Sequence, residues 1–287
     1  MIDPTHVSAV IPARDEGATI AQVVSDLRRE LPDLREIIVV DDGSRDATAA
    51  EAERAGALVL AHASGRGYGA ALKTGILAAK GQYVLLLDAD GQHRPAEART
   101  LLAEAASHDL VTGHRVRVFH STAWKLPGKW LLRHLGSYLV RRRIPDLNCG
   151  FRVLRHDVIV RYLRLCSNGY SFSATSLLLL LHEGHRVAFV PVDVRPAARR
   201  GRVTVRTGLD TVMLLLRVAT LLDPLRIFLP LSLLLFAFGV LWGMPYALAG
   251  RGISIGALLL MLSAVLLFGV GLVSDQIAQF RREWLDR

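Results

Sequence analysis

Two carboxylates, one residue apart, follow a very apolar segment in the first third of the chain. In the stretch LLLDADGQHRP, three leucines run directly into Asp88 and Asp90, and Gln92 and His93 come next. Hard divalent cations prefer oxygen ligands, so Asp88, Asp90 and Gln92 could converge on one metal ion. An aspartate after a strand is often only a helix cap or a turn residue, but two at this spacing favour a metal site. His93 is more typical of a packing or hydrogen-bonding residue than of a ligand.

A second apolar segment also ends in acid. EIIVVDDGS, residues 36–44, runs into Asp41 and Asp42. For Asp46, which precedes ATAAEA, capping of the next helix is at least as good an interpretation as a functional role. The glycine-rich GRGYGA at 65–70 could lie near a phosphate, although a plain turn explains it equally well. The first strand is followed by PARDEGAT instead of G-x-G-x-x-G, which argues against a Rossmann dehydrogenase.

The elements that must position these acids alternate between two patterns. Helical periodicity alternates with short apolar runs typical of buried strands, and this order predicts a mostly parallel sheet with helices on both faces, an α/β fold. The predicted strands are 7–13, 36–44, 57–62, 83–90 and 110–115, and the predicted helices are 18–31, 46–56, 67–81 and 95–108. Ligands of such sheets bind at the carboxyl ends of the strands. Both acidic strand ends are therefore expected at one crevice.

The C-terminal part of the chain has a different composition. Residues 227–248 and 253–273 carry no charge, are separated only by the turn AGRG, and each reach the length of about 20 residues that crosses a bilayer. We predict a head, residues 1–220, and a membrane anchor, residues 221–287, with a two-helix transmembrane hairpin and a short tail. Two buried core helices are the alternative, which the all-round apolar character disfavours.

Charge predicts the orientation of this hairpin. Basic residues flank it on both sides, whereas the turn holds only Arg251, and positive residues favour the cytoplasmic side. We therefore expect a multi-pass protein of the plasma or inner membrane, with its head and its C-terminus in the cytoplasm. The N-terminus has no basic region typical of a signal peptide. Two cysteines, Cys149 and Cys166, suggest no disulfide framework, as expected in a reducing compartment.

The chain is strongly basic overall, which bears on its partners. Its 287 residues carry a net charge of +9. A metal held by carboxylates inside a basic protein suggests a substrate that bears phosphate. Nucleic acid is a poor fit, because the basic residues cluster beside the membrane segments and no nucleic-acid motif is present.

Four motifs together resemble family 2 glycosyltransferases of the GT-A fold: VIPARDE, VVDDGS, DADGQH and DLNCGFRVLRHDV. The resemblance covers about residues 5–220 and is strongest to polyprenyl-phosphate (dolichyl-phosphate) sugar synthases. It implies Mg²⁺ or Mn²⁺ at Asp88, Asp90 and Gln92. It also implies a nucleotide-sugar site in which Asp42 faces the base. That site would comprise Pro12, Arg14, Glu16, Val40, Asp42, Asp88 and Asp90. Relatives often carry Tyr-Asn where this chain has Arg14-Asp15.

The resemblance also draws attention to an absent acid. Members that glycosylate a hydroxyl usually carry a catalytic carboxylate at the start of a late helix, where it deprotonates the acceptor. The corresponding stretch here, GYSFSATSLLLLLHEG at 169–184, offers only hydroxyls there, and Glu183 comes near its end. A phosphate acceptor needs no such base, because it is already ionised.

An anionic acceptor requires cations, and arginine suits phosphate geometry. The candidates for the acceptor phosphate are Arg115, Lys129, Arg200, Arg202 and Arg206. Arg115 and Asp90 are also the predicted catalytic residues. Relatives commonly show Ser-Lys where this chain has Val203-Thr204. For the run 141–143, binding to anionic lipid headgroups is the better interpretation.

These inferences converge on a membrane-anchored, metal-dependent, inverting glycosyltransferase. It would move a hexosyl or N-acetylhexosaminyl group from a nucleotide diphosphate sugar to a polyprenyl phosphate lipid. One alternative is a family 2 enzyme that acts on a lipid or carbohydrate hydroxyl, and another is a non-catalytic membrane scaffold that binds nucleotide or lipid. The sugar, the donor base, the prenyl length and assembly into a homo-oligomer are left open.

Overall fold

The computed structural model describes residues 2–115, 134, 137–194, 220 and 222–285, with residues 281–285 described for their backbone alone. The chain forms two compact units, Met1–Gly208 and Leu209–Arg287.

The first unit is built on a sheet of seven strands in the order β3-β2-β1-β4-β6-β5-β7. The strands are β1 Val7–Ala13, β2 Glu36–Asp41, β3 Leu58–Ala61, β4 Tyr83–Leu86, β5 Leu110–Arg115, β6 Arg152–Arg155 and β7 Val187–Val192. All neighbouring strands pair in parallel except β6, which is antiparallel to both β4 and β5. The predicted mostly parallel sheet is confirmed.

Helices cover both faces of this sheet. They are α1 Ile20–Glu30, α2 Thr48–Arg54, α3 Tyr68–Ala78, α4 Ala98–Ala105, α5 His156–Tyr162 and α6 Phe172–His182. On one face, α1 and α4 share a core with alternate residues of β1, such as Ala9 and Ile11. On the other face, α3 comes so close that a Cβ on Gly75 would lie 2.3 Å from the Val10 side chain. Because both faces are covered, β1 is buried along its whole length, as expected for a central parallel strand.

Two predicted strands are shorter than the sequence suggests. The strand predicted at 83–90 ends at Leu86 and the one predicted at 36–44 ends at Asp41. Asp41 is therefore the last residue of β2, whereas Asp42 follows β2 and Asp88 and Asp90 lie in the turn that follows β4. No strand was predicted at β6 or β7.

The second unit contains two long apolar helices, α7 Leu225–Leu248 and α8 Ile255–Leu285. They form the predicted hairpin, and both are long and apolar enough to cross a membrane. Small residues allow the helices to approach closely: a Cβ on Gly243 would lie 2.8 Å from the Ala257 Cβ, and one on Gly271 would lie 2.5 Å from the Phe228 Cβ. Such contacts are typical of helix packing within bilayers.

Candidate active site

The predicted metal ligands lie in one turn at the carboxyl end of β4. Gly91 completes this turn with φ of 68°, a conformation that suits glycine. Oδ1 of Asp90 accepts a 3.0 Å hydrogen bond from the Gln92 backbone N–H, and Oδ2 accepts another from the Gln92 side-chain amide. The structure thus brings Asp90 and Gln92 into contact, and only Ala89 separates Asp90 from Asp88 in the chain.

This donor set fits a hard divalent cation. Burial raises the pKa of the Asp90 carboxyl, and the neighbouring Asp88 charge raises it further, against the opposing hydrogen bonds from Gln92. A cation beside the two carboxylates would relieve this repulsion. The side-chain oxygen of Gln92 is available as a further oxygen donor, because its amide nitrogen is the atom that donates to Asp90. Two carboxylates and an amide leave coordination positions for a diphosphate.

Asp88 is held from two sides. Its Oδ1 accepts a 2.7 Å hydrogen bond from the Tyr68 hydroxyl, and its Oδ2 lies 3.6 Å from Nε2 of His93. Burial raises the pKa of the Asp88 carboxyl, but the facing His93, the Tyr68 hydroxyl and the Arg115 charge together hold it below its usual value. His93 is buried and stacks on Phe151 with 5.1 Å between ring centroids. The stacking agrees with the packing role that the sequence favoured.

The segment that enters β6 presses against the same carboxylate. A Cβ on Gly150 would lie only 2.6 Å from Oδ2 of Asp88. Arg152 is fully buried and donates to the backbone carbonyls of Leu147 (3.1 Å) and Cys149 (2.7 Å) and to that of Ser173 at the start of α6. Burial lowers the pKa of Arg152. The arginine therefore fastens the 147–150 segment in place beside Asp88.

Arg115, the last residue of β5, is occupied by an acid that the sequence analysis did not connect with it. Its Nε and one terminal nitrogen donate to the two carboxylate oxygens of Asp146, at 2.6 and 3.0 Å. These hydrogen bonds raise the pKa of Arg115, and they outweigh burial to lower that of Asp146. Arg115 therefore holds the 146–148 segment, while its charge still acts on Asp88. Its role toward an acceptor phosphate stays a prediction.

The predicted nucleotide residues line the carboxyl edge of β1 and β2. Pro12 and Val40 are register partners in the two adjacent strands. Asp42 follows β2 and is buried. It accepts hydrogen bonds from the His62 ring (2.7 Å) and from the backbone N–H groups of Arg66 and Gly67 (both 2.8 Å). Burial raises the pKa of Asp42, but these three donors outweigh it and lower the pKa. In the structure Asp42 therefore holds the 62–67 segment.

The loop after β1 is fastened to the loop after β2. The Asp15 N–H donates to Oγ of Ser44 and the Glu16 N–H to Oγ1 of Thr48, each at 2.9 Å. Asp46 accepts from the Gly17 N–H at 3.0 Å and from Thr48 at the start of α2, so its contacts are structural.

Arg14 lies at the same edge and is exposed. A Cβ on Gly65 would lie 2.3 Å from its guanidinium, so Arg14 reaches across to the segment that follows β3. Pro12 and Val40 are thus paired across β1 and β2, while Arg14, Glu16 and Asp42 lie in the segments that follow these strands.

The start of α6 carries no acidic residue in its first turn. Ser171 precedes the helix, and Glu183 follows its last residue. The predicted acceptor residues Lys129, Arg200, Arg202 and Arg206 lie outside the described residues, as do Val203 and Thr204.

Sequence reasoning missed Tyr68, His62 and Gly150. Tyr68 lies in GRGYGA and Gly150 lies in DLNCGFR. Both stretches were noted from the sequence, but neither residue was given a role. Their role depends on contact with Asp88, which is 20 residues away from Tyr68 in the chain. No local pattern encodes such a contact.

Comparisons with known proteins agree with this architecture. Residues 8–163 match the family model described as Glycosyl transferase family 2, and residues 223–280 match the one described as GtrB C-terminal hairpin. The undecaprenyl-phosphate 4-deoxy-4-formamido-L-arabinose transferase of Pseudomonas aeruginosa is 29% identical, over 95% of this chain and 85% of its own. Glycosyltransferase AglJ of Haloferax volcanii is 27% identical, over 100% of this chain and 98% of its own.

Solved structures share the fold of the head. Glucosyl-3-phosphoglycerate synthase from Mycobacterium tuberculosis, solved with uridine diphosphate, superposes with a TM-score of 0.62 at 22% identity, covering 75% of this chain and 79% of its own. The first family model spans more than half of the chain, and the sheet, the acidic turn and the hairpin agree with it. The chain therefore belongs to glycosyl transferase family 2.

Proposed function

We propose that this glycosyltransferase moves a sugar from a nucleotide diphosphate sugar to a polyprenyl phosphate, with metal dependence and inversion at the anomeric carbon. The observation that carries the proposal is the pairing of two features in the head. The turn of Asp88, Asp90 and Gln92 groups oxygen donors that could bind a diphosphate through a cation. The first turn of α6 has no carboxylate that could deprotonate a hydroxyl.

Asp88, Asp90 and Gln92 would hold Mg²⁺ or Mn²⁺, which neutralises the diphosphate and improves it as a leaving group. The chain's own residues keep these ligands in place: Tyr68 and Gly150 fix Asp88, and the Gln92 backbone fixes Asp90. Positioning of this kind reduces the reorganisation needed during the reaction.

The nucleoside would lie at the edge formed by Pro12, Arg14, Glu16, Val40 and Asp42. Asp42 shapes this edge by holding the N–H groups of Arg66 and Gly67 at the start of α3.

The acceptor phosphate is ionised near neutral pH, so no proton has to be removed from it. One of its oxygens attacks the anomeric carbon from the side opposite the diphosphate. The new carbon–oxygen bond forms as the bond to the diphosphate breaks, and both electrons of that bond leave with the nucleoside diphosphate. Arg115, Lys129, Arg200, Arg202 and Arg206 are the cations proposed to steer the lipid phosphate. The similarity to the Pseudomonas aeruginosa undecaprenyl-phosphate 4-deoxy-4-formamido-L-arabinose transferase supports this acceptor class.

The hairpin α7–α8 would span the membrane, with the head and the C-terminus in the cytoplasm. Support comes from the apolar length of both helices and from the turn, which holds a single basic residue, Arg251. The proposed domains remain residues 1–220 and 221–287.

A transfer assay tests the proposal. Purified full-length chain receives Mn²⁺, a polyprenyl phosphate and labelled nucleotide sugars chosen by a thermal-shift screen, because ligands stabilise the fold that binds them. We expect a lipid product that mild acid cleaves, as a sugar phosphate should be. Asp90→Asn should abolish transfer, whereas Asp33→Asn, at an exposed position away from the site, should retain it.

Three results would contradict the proposal. An acid-stable product would favour a hydroxyl acceptor. Metal-dependent nucleotide binding without turnover of any sugar donor would favour a scaffold. Full activity of Asp90→Asn would show that the turn of Asp88, Asp90 and Gln92 is not the metal site.

A further inference from the structure

An aromatic ring stands open beside the acidic turn. Tyr170, two residues before α6, is 88% exposed. It stacks on Tyr68 with 5.7 Å between ring centroids and 18° between ring planes. Tyrosine offers a large, rigid, amphipathic surface, and one that is mostly exposed is free to contact a ligand.

The segment that carries this ring is fixed to α3. The carbonyl of Asn168 accepts a 3.0 Å hydrogen bond from the Ala70 N–H. Nζ of Lys73 donates to the Cys166 carbonyl at 2.6 Å and to the Asn168 side chain at 2.7 Å. A Cβ on Gly69 would lie 2.2 Å from the Ser167 carbonyl, so the two segments are in direct contact. Tyr170 is therefore presented by an ordered support, and little conformational entropy is lost when a ligand meets it.

Tyr68 connects this ring to the acidic turn. Its ring supports Tyr170 and its hydroxyl donates to Asp88. Tyr170 thus lies one aromatic ring away from a carboxylate proposed to face the diphosphate. That carboxylate belongs to the proposed reacting end of the donor, where the sugar is attached.

We propose that Tyr170 is a specificity-determining residue whose open ring packs against the C–H face of the sugar to be transferred, and that Tyr68 is the positioning residue that ties this ring to Asp88. The proposal rests on the proposed function, since it needs a nucleotide-sugar donor. The nucleoside is assigned to the β1–β2 edge, so the ring of Tyr170 should sense the sugar and not the base.

Paired binding measurements on the full-length chain test this. The probes are UDP with UDP-glucose and GDP with GDP-mannose, each with Mn²⁺, measured by calorimetry, and the pair that binds the unaltered chain is used. The quantity of interest is the Kd of the nucleotide sugar relative to the Kd of its nucleoside diphosphate. In Tyr170→Ala we expect this ratio to rise about 3- to 10-fold, the range for an aromatic stacking contact. The Kd of the nucleoside diphosphate should be unchanged.

Further variants sharpen the result. Tyr170→Phe and Tyr170→Trp keep a flat ring and should keep the ratio, whereas Tyr170→Leu, apolar but not flat, should behave like Tyr170→Ala. Leu77→Ala is the matched control, because Leu77 is an exposed apolar residue at the far end of α3.

Two outcomes overturn the proposal alone. One is equal weakening of both ligands in Tyr170→Ala, which would place the ring against the nucleoside. The other is an unchanged ratio in both Tyr170→Ala and Tyr170→Leu. If the unaltered chain bound no nucleotide sugar, the proposed function would fail first, and the role of Tyr170 with it.

Discussion

The hydroxyl of Tyr68 donates a 2.7 Å hydrogen bond to Oδ1 of Asp88, across 20 residues of chain. Groups that orient a metal ligand typically contribute about 10- to 100-fold to metal affinity or activity. Tyr68→Phe keeps the ring and its stacking but removes this bond. We expect Mn²⁺ to bind about 10-fold more weakly, measured by electron paramagnetic resonance of free Mn²⁺ in the presence of nucleoside diphosphate. Tyr83→Phe, at the opposite end of β4, is the control, and equal affinity in the two variants would contradict this role.

Gly150 has no space for a side chain. Its Cβ would lie 2.6 Å from Oδ2 of Asp88, so Gly150→Ala must push the carboxylate out of position. We expect loss of Mn²⁺ binding and of sugar transfer, while the thermal unfolding midpoint falls by only a few degrees. Gly269→Ala is the matched control, because nothing lies within 4 Å of an added Cβ there. Normal Mn²⁺ binding by Gly150→Ala would show that Asp88 can shift without consequence.

Asp42 accepts three hydrogen bonds, from the His62 ring and from the N–H groups of Arg66 and Gly67. In Asp42→Asn one oxygen becomes an NH₂ group, which leaves at least one of these donors without an acceptor. The expected cost is about 1–3 kcal/mol of unfolding free energy. This cost is measured as a lower thermal unfolding midpoint of the full-length Asp42→Asn variant. Asp33→Asn, at an exposed position, is the control. Unchanged stability would mean that the 62–67 segment does not depend on Asp42.

The same carboxyl predicts a pH dependence. The pKa of Asp42 in the folded chain is below the unfolded value of about 3.9, so its stabilising contribution is complete above about pH 4. That contribution is lost as pH falls through the folded pKa, because the unfolded chain then binds more protons. The difference in unfolding midpoint between the unaltered chain and Asp42→Asn should therefore shrink as pH falls below about 4. A difference that stayed constant to the lowest measurable pH would contradict the assigned cause.

Labelling of single introduced cysteines tests the orientation of the chain in the membrane. Burial raises the pKa of Cys149 to about 11 and that of Cys166 to about 12, so both native thiols should be unreactive near neutral pH. In Arg251→Cys, a membrane-impermeant maleimide should label intact cells. In Asp33→Cys, labelling should require permeabilised cells. The reverse pattern would place the head outside.

The sequence predicted the parallel part of the fold because local patterns encode it. Strands β1 to β5 are short apolar runs, each separated from the next by a helical pattern. Strand β6 gave no such signal, since its first residue, Arg152, is charged and yet fully buried. Strand β7 contains Pro191, which sheets tolerate at an edge strand. The direction and position of both strands depend on pairings with distant residues.

The site was predictable to a similar extent. Asp88, Asp90 and Gln92 are near neighbours in the chain, and the structure places them in one turn. The Arg115–Asp146 pair and the contact of Gly150 with Asp88 were not predictable, because they join segments that only the folded sheet brings together. A motif reveals the type of side chain at a position, but not the partner that already occupies it.

The reversed direction of β6 has a consequence for how such enzymes can diverge. Because β6 runs against β4, the chain segment that enters it arrives at the edge where β4 ends. Two separate parts of the chain therefore form the two sides of the proposed site. Residues before 93 form the nucleotide and metal side, and residues 146–151 and 166–171 form the facing side. Exchange of the later segments between relatives would alter which sugar or acceptor is accepted while the metal-binding turn stays intact.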